Sequence, residues 1–376
     1  MKSMIEDLKR ILSHDVFELP YNQVDSADFY SFISDKLDSY KEHLKTSKID
    51  EVTKSIDWSE SGFKNITVRV EQLTEKIKAS LGQYLNGKVL KSTELFYEGL
   101  NQIYFYNSSL NVATVRELQT GQEFYRIRRA EEQPFSREEM FHIPFQKRHL
   151  VSTQRYSIPG LPSLYLGDTI FICWTELDKP KIREFYSTKL TNSKAQKVIE
   201  ILRKADMINS LDGITDEWKL TILLRYLVTF PLIAACSVRT KHPKGSFKPE
   251  YIIPQMLLQY VTEHADIDGI KYFSTKINYK QLKDFTTYNY VFPPKTSKNN
   301  AFCDKLTETF HLTEVTSLEL EEIKYNKKYQ TGMLMGGETS DKRKLEITSG
   351  ETTYYSQTVF KRLESALNLL SCSKLN

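Results

Sequence analysis

The stretch from Arg155 to Glu176 reads RYSIPGLPSLYLGDTIFICWTE and carries the strongest indication of fold in the chain. Pro159, Gly160 and Pro162 predict a turn at its centre. The pieces LPSLYLG and TIFICWTEL are short apolar runs of the kind that form buried strands. We therefore expect this part of the chain to belong to a domain built on β-strands.

Further strand-like pieces lie on both sides of this stretch. FYRIR at 124–128 alternates apolar and basic residues, and IKYFST at 270–275 and NYVF at 289–292 are rich in aromatic and β-branched residues. Helical patterns occupy 192–236 and 251–264 between them. This order predicts strands interrupted by a helical insertion at about 187–245.

The first 110 residues have a different character. Apolar residues recur there at helical spacing in four segments, near 5–12, 29–40, 68–81 and 92–104, and Asp25 or Ser26 is a candidate N-cap of the second segment. The predicted fold class is therefore α+β. We expect a helical N-terminal domain at 1–110, a mixed domain at 111–300 and a C-terminal extension at 301–376 that ends in an amphipathic helix at 354–370.

Composition excludes some classes of protein. The chain has 376 residues with a formal net charge of +4, too small a balance to indicate a nucleic-acid partner. The N-terminal MKSMIEDLKRILSHD lacks the apolar core of a signal peptide. The longest apolar run, 220–236, is interrupted by Arg225 and Pro231, so we interpret it as a buried helix pair and expect a cytoplasmic protein without a membrane partner.

Familiar catalytic and metal motifs are absent from the sequence. It contains no phosphate-binding GxxxxGK[ST], no GxGxxG, no HExxH and no GxSxG, and its four cysteines are too far apart for a metal knuckle. We expect no metal. What remains is an unusual grouping of Arg126, Arg155, Tyr165 and Glu176, in which the glutamate follows an apolar run and needs a compensating cation if it is buried. Arg155 or Arg126 would supply that charge, and a purely structural Arg–Glu pair is the alternative.

The order of these residues resembles the RES family, which is named for an arginine, a glutamate and a serine. The resemblance spans 121–293 and includes FYRIR, RYSIPGLPSLYLGDTIFICWTE, DGIKYFST and NYVF. Arg155, Glu176 and Ser274 match the three residues of the family name. Tyr165 matches the tyrosine between the first two, and Arg126 matches a second, earlier arginine. Longer RES proteins with a helical, HEPN-like N-terminal region form a class with which residues 1–110 are compatible, although His14 and His43 form no nuclease-type motif.

The resemblance implies a fold similar to ADP-ribosyltransferases and an enzyme that consumes NAD⁺ as its substrate. The implied activity is cleavage of the nicotinamide–ribose bond by water or phosphate, in a toxin or defence effector such as one used against phage. Small members of the family are held by an antitoxin partner. For this chain, residues 1–110 and 187–245 are additional material that could restrain activity, bind a regulatory protein or form a homo-oligomer.

The chemistry of that reaction suits the matched residues. Cleavage builds positive charge on the ribose, which a carboxylate such as Glu176 stabilises. Arg155 and Arg126 would bind the pyrophosphate, because a guanidinium binds two oxygens at once. Tyr165 would provide an aromatic face for a base, and Ser274 a hydroxyl for a phosphate or ribose oxygen. Two alternatives stay open: a protein ADP-ribosyltransferase with the same donor site, and an inert interaction protein.

Overall fold

A computed structural model describes residues 1–23, 28–54, 66–104, 115–130, 135–296, 301–323, 341–348 and 350–375. The chain divides into two compact units. Unit 1 comprises 1–116, 153–158 and 198–265, and unit 2 comprises 117–152, 159–197 and 266–376. Helices make up unit 1 and a mixed sheet with helices makes up unit 2, which confirms the predicted α+β class.

Twelve α-helices lie in the described residues. In chain order they are α1 (Lys2–Leu12), α2 (Phe29–Thr46), α3 (Ile49–Val52), α4 (Ile66–Leu85), α5 (Val89–Tyr104), α6 (Ile170–Glu176), α7 (Lys204–Asn209), α8 (Asp216–Ala235), α9 (Ile252–Glu263), α10 (Asp304–Thr309), α11 (Leu318–Ile323) and α12 (Val359–Asn368). The four long helices predicted before residue 110 are confirmed as α1, α2, α4 and α5. Asp28 caps α2 by accepting a hydrogen bond from Ser31 N, whereas the predicted caps Asp25 and Ser26 lie outside the described residues.

Unit 1 is built around α8, a helix whose residues from Tyr226 to Ala235 are all buried. The N-terminal helices α1, α2 and α4 pack against it. Tyr40 donates a hydrogen bond to Leu227 O at 2.6 Å, and Phe17 lies 4.6 Å from Phe230, ring centre to ring centre. The predicted helix pair at 220–236 is wrong in one respect, because a single helix continues through Pro231.

Among the described residues, only α8 has the length and apolar composition that a membrane span would need. Of its most apolar window, 72% is buried inside the protein. The arginine that interrupts this window, Arg225, is half-buried, and burial lowers its pKa. Packing against α1, α2 and α4 therefore accounts for the apolar character of α8.

Eleven strands lie in the described residues: β1 (Val115–Leu118), β2 (Glu123–Arg129), β3 (Leu164–Gly167), β4 (Phe185–Asn192), β5 (Gln196–Ile201), β6 (Gly269–Tyr272), β7 (Leu282–Lys283), β8 (Asn289–Phe292), β9 (Phe310–Leu312), β10 (Lys344–Thr348) and β11 (Glu351–Tyr354). Six of them form the antiparallel sheet of unit 2 in the order β6-β8-β3-β2-β4-β9. Helices α6 and α12 contribute to one hydrophobic core with this sheet.

Two predictions made from short apolar runs are wrong. The piece TIFICWTEL forms helix α6 rather than a strand, because a run this short does not distinguish the two by periodicity and Thr169 supplies an N-cap. The insertion at 187–245 begins with β4 and β5 rather than with a helix. Residues of β4 pair with β2 from Phe185↔Arg129 to Thr191↔Glu123, and this pairing outweighs the local helical pattern.

The compact units differ from the predicted domain ranges. Residues 198–265 belong to unit 1 with the N-terminal helices, because α8 and α9 pack on α4. The C-terminal residues from 301 belong to unit 2, where α12 contributes Phe360, Leu363 and Leu367 to the core. The final helix is shorter than predicted and begins at Val359, after β11 and a 3₁₀ turn.

Candidate functional site

The close approach of α6 to strand β3 defines the candidate site in unit 2. Gly167 ends β3, and a Cβ added there would lie 2.3 Å from Ile172 Cγ2 and 2.7 Å from Cys173 Sγ. Real Cβ atoms do not approach other atoms this closely, so a glycine is needed for α6 to lie on the strand. The helix carries Glu176 as its last residue.

Hydrogen bonds with the capping residue Thr169 and with the distant residue Glu364 fix the start of α6. Thr169 Oγ1 accepts a hydrogen bond from Ile172 N and lies 2.8 Å from Thr287 Oγ1. Glu364, on α12, accepts a hydrogen bond from Ile170 N at 2.9 Å through Oε1, which also accepts one from the Tyr355 hydroxyl. Burial raises the pKa of Glu364, although its hydrogen bonds act in the opposite direction. The C-terminal helix therefore positions the helix that carries Glu176.

Glu176 is partly exposed rather than buried, which corrects the expectation from its apolar neighbours. The relative solvent exposure of its side chain is 32%, because the residue lies at the end of a seven-residue helix. Asn289 Nδ2 donates a hydrogen bond to Glu176 Oε1 at 2.9 Å. The predicted arginine partner is also wrong: the cation beside it is Lys276, whose Nζ lies 4.0 Å from Glu176 Oε2 and donates to Glu176 O at 2.7 Å. This lysine offsets the negative end of the helix dipole.

The register of the sheet brings four of the five predicted site residues into one region of unit 2. Asn289, the partner of Glu176, pairs with Gly167 on one side and with Tyr272 on the other. Tyr165 lies two residues before Gly167, and Ser274 lies two residues after Tyr272. Tyr125, the neighbour of Arg126, pairs with Gly167. Arg126, Tyr165, Glu176 and Ser274 are thus all placed by strands β2, β3, β8 and β6.

Arg126 is a half-buried cation with an unused hydrogen-bond donor. Its Nη1 donates to Tyr165 O at 2.8 Å, whereas its buried Nε has no hydrogen-bond partner and no described carboxylate forms an ion pair with it. Burial, together with the smaller effect of the neighbouring Arg128, lowers the pKa of Arg126 to about 10. The guanidinium therefore still carries its charge at neutral pH and has donor capacity for an anion.

Tyr165 and Ser274 have more ordinary surroundings. Tyr165 is half-buried on β3, pairs with Val291 of β8, and burial raises the pKa of its hydroxyl. Ser274 is buried two residues after the end of β6, and its Oγ accepts a hydrogen bond from Lys276 N at 3.1 Å. That bond is a local turn contact of the kind that serine commonly makes. It also places Lys276, which contacts Glu176, two residues from the serine.

Arg155 belongs to unit 1, unlike the other four predicted residues. Its guanidinium donates to three backbone carbonyls of that unit, those of Val238 (2.9 Å), Cys236 (3.3 Å) and Glu250 (3.4 Å). It also lies 5.0 Å from the ring centre of Tyr251. These contacts fix the chain between α8 and α9, which is a structural role.

Comparison with known proteins gives a distant relative. Over 298 aligned residues the chain is 33% identical to "Putative toxin YopC" of Bacillus subtilis (strain 168). The alignment covers 76% of this chain and 66% of that protein, slightly under two thirds of its length. The similarity suggests a toxin family. No protein-family model matches the chain, and no solved structure matches it, so the RES resemblance stays a prediction.

Sequence reasoning missed residues that complete the surroundings of Glu176. Asn289 and Lys276 contact it directly. Asn289 is the first residue of NYVF, which the resemblance included, whereas Lys276 follows directly after IKYFST and lies outside it. Asp168 follows Gly167 and accepts hydrogen bonds from Thr287 Oγ1 and Tyr288 N, and burial raises its pKa to about 6. In the sequence, the position of Asp168 between Gly167 and the capping residue Thr169 was the feature that could have indicated it.

The described residues contain no group of three histidine, cysteine, aspartate or glutamate side chains that could hold a metal ion. His142, near Arg126, is buried, and its pKa falls to about 4 through burial and the repulsion of Arg126. Its Nε2 accepts a hydrogen bond from Cys303 N at 2.9 Å. His142 is therefore a neutral structural residue at neutral pH.

Proposed function

We propose that this chain is a toxin that consumes NAD⁺ by cleaving the bond between nicotinamide and ribose, with water or phosphate as the acceptor. The similarity to a protein named as a toxin supports the biological role. The chemistry rests on the residues that the RES resemblance selects. NAD⁺ is the substrate, and no metal has a part in the proposed step.

The single observation that carries the proposal is the state of Arg126. A half-buried cation with a donor that lacks a partner is a site for an anion, because an unmet buried donor costs free energy that a charge-assisted hydrogen bond recovers. The pyrophosphate of NAD⁺ has the required oxygens. Tyr165, whose carbonyl holds Arg126, would pack beside the bound dinucleotide.

Glu176 would act on the ribose. As the C–N bond breaks, its electron pair leaves with nicotinamide and the ribose ring becomes electron-deficient. A carboxylate held by Asn289 and exposed to solvent on one side is free to stabilise this charge. Water or phosphate then forms the new bond at the same carbon, and a water acceptor releases one proton. Ser274 would act indirectly by placing Lys276.

The direct test uses the purified full chain, NAD⁺ and separation of the products. We expect released nicotinamide to equal the NAD⁺ consumed. ADP-ribose as the other product indicates hydrolysis, and a phosphorylated ADP-ribose that appears only with added phosphate indicates phosphorolysis. NAD⁺ labelled on its adenine and incubated with cell extract detects transfer to protein, the outcome that would favour a protein ADP-ribosyltransferase.

The proposal also predicts an effect in cells. Expression should lower the NAD⁺ level and stop growth, and a partner protein that restores growth would be the antitoxin. A folded chain that releases no nicotinamide in vitro and leaves the NAD⁺ level unchanged while it stops growth would contradict the proposed chemistry. Such a result would leave an interaction protein as the better interpretation.

A further inference from the structure

Unit 1 contains a cavity that is separate from the residues proposed to bind NAD⁺. The cavity has a volume of about 230 Å³ and is lined by Gln23, Asp28, Phe29, Lys241, His242, Phe247, Pro249 and Glu250. A cavity of this size admits several waters or one small organic group. It is too small for a dinucleotide, since ligand cavities for larger molecules begin at about 300 Å³.

The chemical feature of this cavity is the Glu250 carboxylate. Glu250 is 2% exposed. Its Oε1 accepts a hydrogen bond from Lys241 N at 2.9 Å, whereas its Oε2 is buried and has no hydrogen-bond partner. Buried carboxylate oxygens are usually paired, so this oxygen is an acceptor that lacks its donor. Glu250 is one of the residues that line the cavity, and the terminal torsion of a glutamate is soft.

The other walls define what kind of donor fits. Phe29 and Pro249 provide apolar surface, and Phe247 is 55% exposed, which is unusual for an aromatic side chain of this size. Asp28 adds a second carboxylate, although both of its oxygens bond to Ser31, and the lining also includes Lys241 and His242. A flat cation with several N–H donors satisfies the acid and stacks against an aromatic wall at the same time.

We propose that this cavity binds a guanidinium or amidinium group, with Glu250 Oε2 accepting its hydrogen bond and Phe247 covering its face. The group would come either from a free small molecule or from an arginine side chain of a partner protein. Both sources present the same chemistry to Glu250. The proposal is independent of NAD⁺ consumption, because all the lining residues belong to unit 1.

The test is a calorimetric or ligand-observed NMR titration of the full chain with three matched probes. Benzamidine carries the cation, benzamide keeps the shape and an N–H donor without the charge, and benzoate has no donor. We expect benzamidine to bind at least about tenfold more tightly than benzamide, because a hydrogen bond between charged groups is the stronger kind. We expect benzoate not to bind. Equal binding of all three probes, or no binding of benzamidine, would overturn the proposal.

Two variants connect the binding to this cavity. Glu250→Gln keeps the acceptor for Lys241 N and removes the charge, and we expect benzamidine to bind about tenfold more weakly or worse. Glu217→Gln, an exposed change on α8, is the matched control and should leave the affinity unchanged. Phe247→Ala removes an exposed side chain, so it does not threaten folding, and should weaken binding about two- to fivefold. Unchanged binding in the Phe247 variant would overturn the proposal even if the Glu250 variant failed to fold.

A last arm separates the two sources of the group. Methylguanidinium represents a free small molecule, and a blocked tripeptide with a central arginine represents a partner protein. Tighter binding of the tripeptide favours a protein partner, and tighter binding of methylguanidinium favours a small molecule; either result supports the shared chemistry. Failure of both to compete with bound benzamidine would overturn it.

Discussion

The two arginines that the sequence predicted to bind a pyrophosphate lie in different units and have opposite surroundings. In unit 1, Arg155 is surrounded by backbone carbonyls and the ring of Tyr251. In unit 2, Arg126 gives one hydrogen bond to Tyr165 O and keeps a donor without a partner. The same residue type thus completes the structure in one unit and leaves capacity for a ligand in the other.

This difference shows that the position of an arginine in the sequence does not reveal whether its guanidinium binds the protein's own carbonyls or a ligand. Arginine stabilises loops by donating to carbonyls and binds phosphates by donating to their oxygens, and the two roles compete for the same five donors. The surroundings therefore assign Arg126 to the ligand more strongly than Arg155.

Removal of residues 1–110 should abolish folding of the rest of unit 1. The remaining α8 would expose side chains such as Leu227 and Phe230 that are fully buried in the intact chain. Each costs about 1.5–3 kcal/mol on exposure, so a handful amounts to on the order of 10 kcal/mol, as much as the whole stability of a typical domain. We expect residues 111–376 to be insoluble or to lack a cooperative unfolding transition.

Co-expression of 1–110 as a separate chain is the control for that truncation, and it should restore soluble protein. If residues 111–376 folded alone with a sharp transition, the assignment of 198–265 to unit 1 would be incorrect. A truncation of this kind does not test whether the N-terminal helices restrain activity, because it removes part of a core rather than a detachable cover.

Glu176→Gln should have the largest effect on activity while leaving the fold intact. A glutamine keeps the oxygen that accepts from Asn289 and loses the charge that would stabilise the ribose. We expect nicotinamide release to fall by about 10²-fold or more, with an unchanged melting temperature. Glu351→Gln, at an exposed position of unit 2, is the matched control. Full turnover in a folded Glu176 variant would remove Glu176 from the mechanism.

The arginine pair gives the most direct test of the comparison. Arg126→Lys keeps the charge and loses the fork, so we expect NAD⁺ to bind about tenfold more weakly with little change in stability. Arg155→Lys loses bonds from a charged group to several carbonyls, and we expect its free energy of unfolding to fall by about 1.5–3 kcal/mol. Calorimetric NAD⁺ titration and urea unfolding of both variants measure the two quantities. A larger loss of affinity in the Arg155 variant would reverse the comparison.

The sequence predicted the helices of unit 1 well and their assembly less well. Periodicity marks the face that a helix buries, as at Ile5, Leu8 and Ile11 of α1. It carries no information on which distant segment covers that face. The packing of α1, α2 and α4 on α8 joins segments more than a hundred residues apart, and helical periodicity does not predict such long-range contacts.

In unit 2 the strands at FYRIR, LPSLYLG, IKYFST and NYVF were predictable, and α6 was not. An apolar run of seven residues is compatible with a strand or a buried helix, and contacts from Thr169 and Glu364 decide between them. The same limit applies to Glu176. Its apolar neighbours indicated burial, but the end of a helix points the side chain toward Asn289 and solvent.

Acids of the two units should respond to pH with opposite signs. In unit 2, burial raises the pKa of Asp168 to about 6 from an ordinary 3.8, with Lys271 and Glu364 as its charged neighbours. In unit 1, burial acts to raise the pKa of Asp38, but hydrogen bonds from Lys78 and Lys41 outweigh it and the net pKa is lowered. Asp168→Asn and Asp38→Asn are therefore a matched pair.

The sign of each effect follows from proton linkage. Native Asp168 binds its proton more tightly than the unfolded chain does, so its contribution to stability is present below about pH 4 and is lost as pH rises toward about 6. Native Asp38 binds its proton less tightly, so its contribution is present above about pH 4 and is lost as pH falls below that value. Urea unfolding between pH 3 and 7 should show the wild type losing stability relative to Asp168→Asn as pH rises from 4 to 6, and losing stability relative to Asp38→Asn as pH falls toward 3. Parallel pH profiles for wild type and Asp168→Asn would mean that Asp168 is not desolvated, and the packing of β3 against α6 would then be looser than these contacts indicate.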